Sequence, residues 1–123
     1  MRANELRYLT ERERVALKEF IACLRERYAD QVITVRLFGS KARGDSGPES
    51  DIDVLIVVRG DDRWLHWTDI VDASADLGVE HETVIMPLIV DEKNYRRLRR
   101  LRAPIYQNIR AEGVNLWTKT SES

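Results

Sequence analysis

Asp51 and Asp53 are separated by one residue and stand at the head of an apolar run, VLIVV. In an extended segment alternate side chains share a face, so both carboxylates project one way and Ile52 the other. On that spacing their Cα atoms are about 7 Å apart. Two carboxylates that close repel each other unless a cation intervenes. A hard divalent ion such as Mg²⁺ removes the conflict, because it takes oxygen ligands and commonly combines one or two carboxylates with substrate phosphates. The pair therefore reads as metal-binding and catalytic.

The stretch GSKAR (39–43) precedes the pair. Gly39 lacks a Cβ, so the chain can turn sharply there and come close to a ligand. Ser40 can cap a short turn whose free amides face an anion, and its hydroxyl can donate to a phosphate oxygen. Lys41 and Arg43 follow in the same turn. The Arg43 guanidinium fork suits phosphate, although pairing with Asp45 or Glu49 in the following loop suits it equally. A phosphate cradle beside a metal-binding pair describes a site for a nucleoside triphosphate.

The surrounding elements must hold these residues. Thr10 and Glu13 form a capping box, and Val15, Leu17, Phe20, Ile21 and Leu24 follow at helical spacing, so a helix is expected over 10–29. VITVRLF (32–38) reads as a strand ended by Gly39, GDSGPES (44–50) as a loop, and IDVLIVV (52–58) as an interior strand buried on both faces. A helix is expected from about 62 to 80, with Gly78 as a cap or the helix running on to about Glu82. TVIMPLIV (83–90) reads as a strand in which Pro87 suggests an edge or a bulge. Helical patterns occupy 91–113, with Leu98 and Leu101 expected to face the core and the surrounding arginines to face solvent, and VNLW (114–117) suits a last short strand. The fold class is α/β (α+β): one domain over 1–123, a small mixed sheet with helices packed on it.

Composition sets outer bounds. With 20 basic and 21 acidic residues the charge is nearly balanced, which argues against nucleic acid as a partner. A single cysteine, Cys23, leaves no internal disulfide and suits a reducing cytoplasm. No apolar run approaches the roughly 18 residues that span a bilayer, and the opening MRANELRYLTERER lacks a secretory apolar segment. A cytoplasmic protein without membrane association is expected. His66 and His81 have no cluster of ligands nearby in sequence, and Trp64 and Trp67 suit a core or an interface better than a stacked base.

Gly39, Ser40, ten residues, Asp51, one residue and Asp53 resemble the motif of the DNA polymerase β-like nucleotidyltransferases. FGSKARGDSGPESDIDVLIVV, and later ADLGVEHETVIMPLIV and PIYQNIRAEGVNLW, resemble the minimal nucleotidyltransferase branch. The resemblance covers most of the chain from about residue 30. It implies a polymerase β-like core and transfer of a nucleoside monophosphate, AMP from ATP in the first instance, with one or two Mg²⁺ ions. It also implies a partner: such proteins act as antitoxins by adenylylating a tyrosine of a HEPN-domain toxin. A homo-oligomer is a further association to test. The family usually carries a third carboxylate on a neighbouring strand. TVIMPLIV holds none, and Glu80 and Glu82 stand just before it. That departure sustains a rival reading, a binding module that neutralises its partner by surface contact.

Overall fold

The computed structural model describes residues 8–43, 51–59 and 63–118. In chain order these form α1 (Glu11–Tyr28), β1 (Val32–Phe38), α2 (Ser40–Arg43), β2 (Ile52–Val58), α3 (Arg63–His81), β3 (Ile85–Asp91), α4 (Glu92–Arg100), α5 (Pro104–Glu112) and β4 (Val114–Thr118). The strands make one mixed sheet in the order β3-β2-β1-β4. β1 runs antiparallel to β2 and to β4, and β2 runs parallel to β3 across the α3 connection.

The apolar run of β2 is interior, as its composition requires. Ile52, Val54, Ile56 and Val58 meet Leu17, Phe20, Ile21 and Leu24 of α1 and Ile70 of α3 in the larger core. Leu55 and Val57 point to the opposite face, where Val90, Ile109, Leu88 and Tyr95 cover them. Strand alternation puts Asp51 and Asp53 on that second face, at the end of β2 farthest from Val58.

Local chemistry sets the ends of the elements. Thr10 Oγ1 accepts from the Glu13 amide at 3.1 Å and Glu13 Oε1 accepts from the Thr10 amide at 2.8 Å, completing the expected capping box. Gly78 does not end α3. The helix continues to His81, and Glu82 takes the left-handed conformation with φ +54°. The Glu82 amide then donates to the Val79 carbonyl and the Thr83 amide to the Gly78 carbonyl, which closes the helix. Gly78 serves instead as a point of close approach, since a Cβ there would stand 2.6 Å from the Thr83 carbonyl oxygen. Because Thr83 still belongs to that closing turn, β3 starts at Ile85 and not at residue 83. Asp91 ends β3 and caps α4, accepting from the Asn94 amide at 2.7 Å.

Leu101 departs from expectation. It is 63% exposed, standing at the C-terminal cap of α4 just before the chain turns at Arg102 with φ +51°. The arginines of α4 stay outside: no residue of this helix is buried, and Arg96 pairs with Glu92 at 3.0 Å.

Candidate active site

The β1–β2 register sets Asp53 opposite Phe38, so the chain leaving β1 at Gly39 passes directly beside the Asp53 side chain. Gly39 has φ +75°, a conformation that residues with a Cβ rarely adopt. A Cβ there would also overlap Asp53 Oδ2. Glycine is therefore required twice, for the turn and for the space the carboxylate occupies. Gly39 O accepts from the Ala42 amide at 3.1 Å, which starts the single turn α2. Asp51 is exposed and Asp53 half-buried. Their carboxylate oxygens are the hard donor set that Mg²⁺ takes, and the Gly39 cradle seats one of the two.

Ser40 and Arg43 lie in α2 by their backbones; their side chains, like the loop 44–50 with Asp45 and Glu49, lie outside the described residues. Lys41 is placed differently from a phosphate ligand. It is 3% exposed, and its Nζ stands 2.7 Å from Glu13 Oε2, a carboxylate itself only 6% exposed. Sequence reasoning missed this partner, because nothing local links the first turn of α1 to the turn after β1.

The neighbouring strand supplies no carboxylate next to the pair. Met86 is the residue in register with Asp53, and the sole acidic residue of β3, Asp91, pairs with Val58 at the other end. Glu80 and Glu82 are engaged elsewhere. Glu82 meets Arg12 of α1 at 3.1 Å, and Glu80 gathers with Glu19 and His81, their ligand atoms all within 4.8 Å of one another. His81 Nε2 lies 2.7 Å from Glu19 Oε2. His81 thus has ligand-type neighbours that are distant in sequence, at a place removed from the aspartate pair.

Val84 and Met86 are 49% and 48% exposed beside the pair. They continue into an apolar groove of about 520 Å³ between α3 and β3, to which Trp67, Val71, Val79 and Pro87 contribute. Trp67 belongs to this surface. The side chains of Trp64 and His66 lie outside the described residues. Among the described residues, no helix is long and apolar enough to cross a membrane.

The mixed four-stranded sheet with helices packed on it is of the polymerase β-like fold, and comparison with known proteins agrees. In superposition, the chain matches a putative nucleotidyltransferase from Sulfolobus solfataricus with TM-score 0.50 and 22% identity, covering 85% of this chain and 79% of the other. It matches a toxin–antitoxin structure with AMP-PNP at TM-score 0.51 and 21% identity, covering 85% and 76%. In sequence it is 33% identical over 105 residues to a Methanocaldococcus jannaschii protein named as a putative protein adenylyltransferase, covering 85% of this chain and 98% of that one. Residues 17–112 match the model of the nucleotidyltransferase domain. The chain belongs to the nucleotidyltransferase domain family. It is a nucleotidyltransferase, an enzyme that moves nucleoside monophosphates from triphosphates.

Proposed function

We propose that the chain transfers AMP from ATP to a hydroxyl of a partner protein, with a tyrosine of a HEPN-domain toxin as the acceptor. The observation that carries this reading is the Asp53 carboxylate seated against Gly39, with Asp51 two residues away on the same face. Asp51 and Asp53 would hold Mg²⁺, which when bound neutralises the carboxylate pair and the charge of the triphosphate. The backbone amides of the turn after Gly39, with the Ser40 hydroxyl and the Arg43 guanidinium, bind and orient the phosphates. The acceptor oxygen bonds to the α-phosphorus, the bond from that phosphorus to the bridging oxygen breaks, pyrophosphate leaves, and the acceptor proton passes to solvent. A protein acceptor is favoured by the name of the Methanocaldococcus relative and by the toxin–antitoxin neighbour.

The test is incubation with Mg²⁺ and α-labelled ATP, alone and with the product of the adjacent gene. Label should appear on the neighbour and vanish with Asp53→Asn. Label on neither protein under any condition would count against AMP transfer to a protein.

One observation favours a second reading. Met86, and not an acid, stands in register with Asp53. The chain could then neutralise its partner by contact and hold nucleotide without transferring it. Neutralisation that survives the Asp51→Ala/Asp53→Ala double substitution supports this second reading, and its loss supports the first.

A further inference from the structure

The geometry points to Lys41 as a positioning residue for the nucleotide turn, acting through Glu13 and not through phosphate. This inference rests on the nucleotide site proposed above. Lys41 is the second residue of α2, next to Ser40 and two residues beyond Gly39. A helix of four residues cannot hold itself in place, since one turn fixes many backbone angles for few hydrogen bonds. Its position must come from anchors at each side. Gly39 joins it to β1, Ala42 packs against the larger core, and the Lys41–Glu13 pair joins it to the first turn of α1.

Glu13 is a firm anchor. One oxygen accepts from the Thr10 amide at 2.8 Å and the other meets Lys41 Nζ at 2.7 Å, while the Glu13 amide is bound by Thr10 Oγ1. Both members of the pair are almost wholly buried. A buried carboxylate left without its cation is strongly unfavourable. If Lys41 swung out to a phosphate it would strand the Glu13 charge in the interior. The ammonium therefore stays with Glu13, and that pair helps fix where the backbone of α2 lies. Nucleotide affinity becomes dependent on a residue at the start of α1 that touches no nucleotide.

The two roles for Lys41 predict opposite signs at Glu13. Glu13→Gln keeps an acceptor for the Thr10 amide and weakens the grip on Lys41. Under the positioning role the ATP·Mg²⁺ dissociation constant, read by calorimetry at a temperature where circular dichroism shows the variant folded, rises about tenfold. Under a phosphate-contact role the freed ammonium leaves that constant unchanged or lowers it, which would overturn the inference. The double variant Glu13→Gln/Lys41→Gln replaces the ion pair by a neutral amide pair and removes the cation. Positioning predicts a return to within about threefold of wild type, whereas loss by more than tenfold overturns it; this variant decides alone if the single substitution does not fold. If wild type binds no ATP·Mg²⁺, or Asp53→Asn binds it equally well, the nucleotide-site reading fails and takes this inference with it. Binding that depends on Asp53 but ignores Glu13 overturns this inference only.

Discussion

At the scale of single residues, the site depends on space as much as on charge. Asp53 can lie over the exit from β1 only because position 39 carries no side chain. Gly39→Ala should therefore fail on two counts: left-handed backbone costs a non-glycine residue about 1–2 kcal/mol, and the new methyl displaces the carboxylate. The expected outcome is a lower melting temperature together with loss of Mg²⁺-dependent ATP binding. Asp53→Asn separates these effects. It should abolish Mg²⁺-dependent binding and leave the metal-free melting temperature close to that of wild type, because asparagine keeps the side chain's shape and one accepting oxygen. A fall in that temperature would mark the carboxylate as structural. Ser40→Ala should weaken ATP binding by about 1.5–3 kcal/mol, the worth of one charge-assisted hydrogen bond, with the fold intact by circular dichroism.

At the scale of elements, β3 deserves its proline. Among the described residues it is the edge of the sheet, beside β2 alone. The Ile52 amide donates to the Val84 carbonyl at 2.8 Å, and in a parallel ladder the inward-bonding residues of β3 then alternate as Val84, Met86 and Leu88. Pro87 falls between them with its nitrogen toward the open edge, where it blunts pairing with another strand. Pro87→Val restores that amide next to an apolar groove. Self-association measured by light scattering should increase, and an unchanged mass at high concentration would show that the proline has no such protective role. The interior strand β2 makes the complementary case: Ile56 is fully buried, and Ile56→Ala should cost about 2–5 kcal/mol in urea unfolding without altering the site's residues.

At the scale of the whole molecule, the sheet separates two helical layers, and tyrosines, Tyr28 buried and Tyr95 half-buried, help close each. Tyr28 of α1 donates to Asp69 of α3 at 3.2 Å. Tyr95 of α4 meets Tyr106 of α5 edge to face, with ring centroids 5.6 Å apart. Burial pushes both phenols above their ordinary pKa, helped at Tyr28 by the hydrogen bond to Asp69 and at Tyr95 by Tyr106. The neutral phenol is the form that packs. Its contribution to stability is therefore fully present below the unfolded value near 10 and is lost as pH rises through the higher folded value. Melting temperature should hold through pH 9 and fall above 10, and Tyr28→Phe with Tyr95→Phe should flatten that fall.

The sequence by itself determined which segments are helix and strand and that IDVLIVV is interior, and it singled out Gly39, Ser40, Asp51 and Asp53 as the site proposed above. Each of these follows from patterns a few residues long: the period of apolar positions, a capping box, a glycine before polar residues, two acids on one strand face. Only the tertiary structure decided that Lys41 belongs to Glu13, that His81 meets Glu19, that Met86 is the residue beside Asp53, and that Leu101 faces outward. Those facts depend on which elements pack together and in what register. A side chain's partner is chosen by the whole packed arrangement, and its own neighbours in sequence carry no record of it.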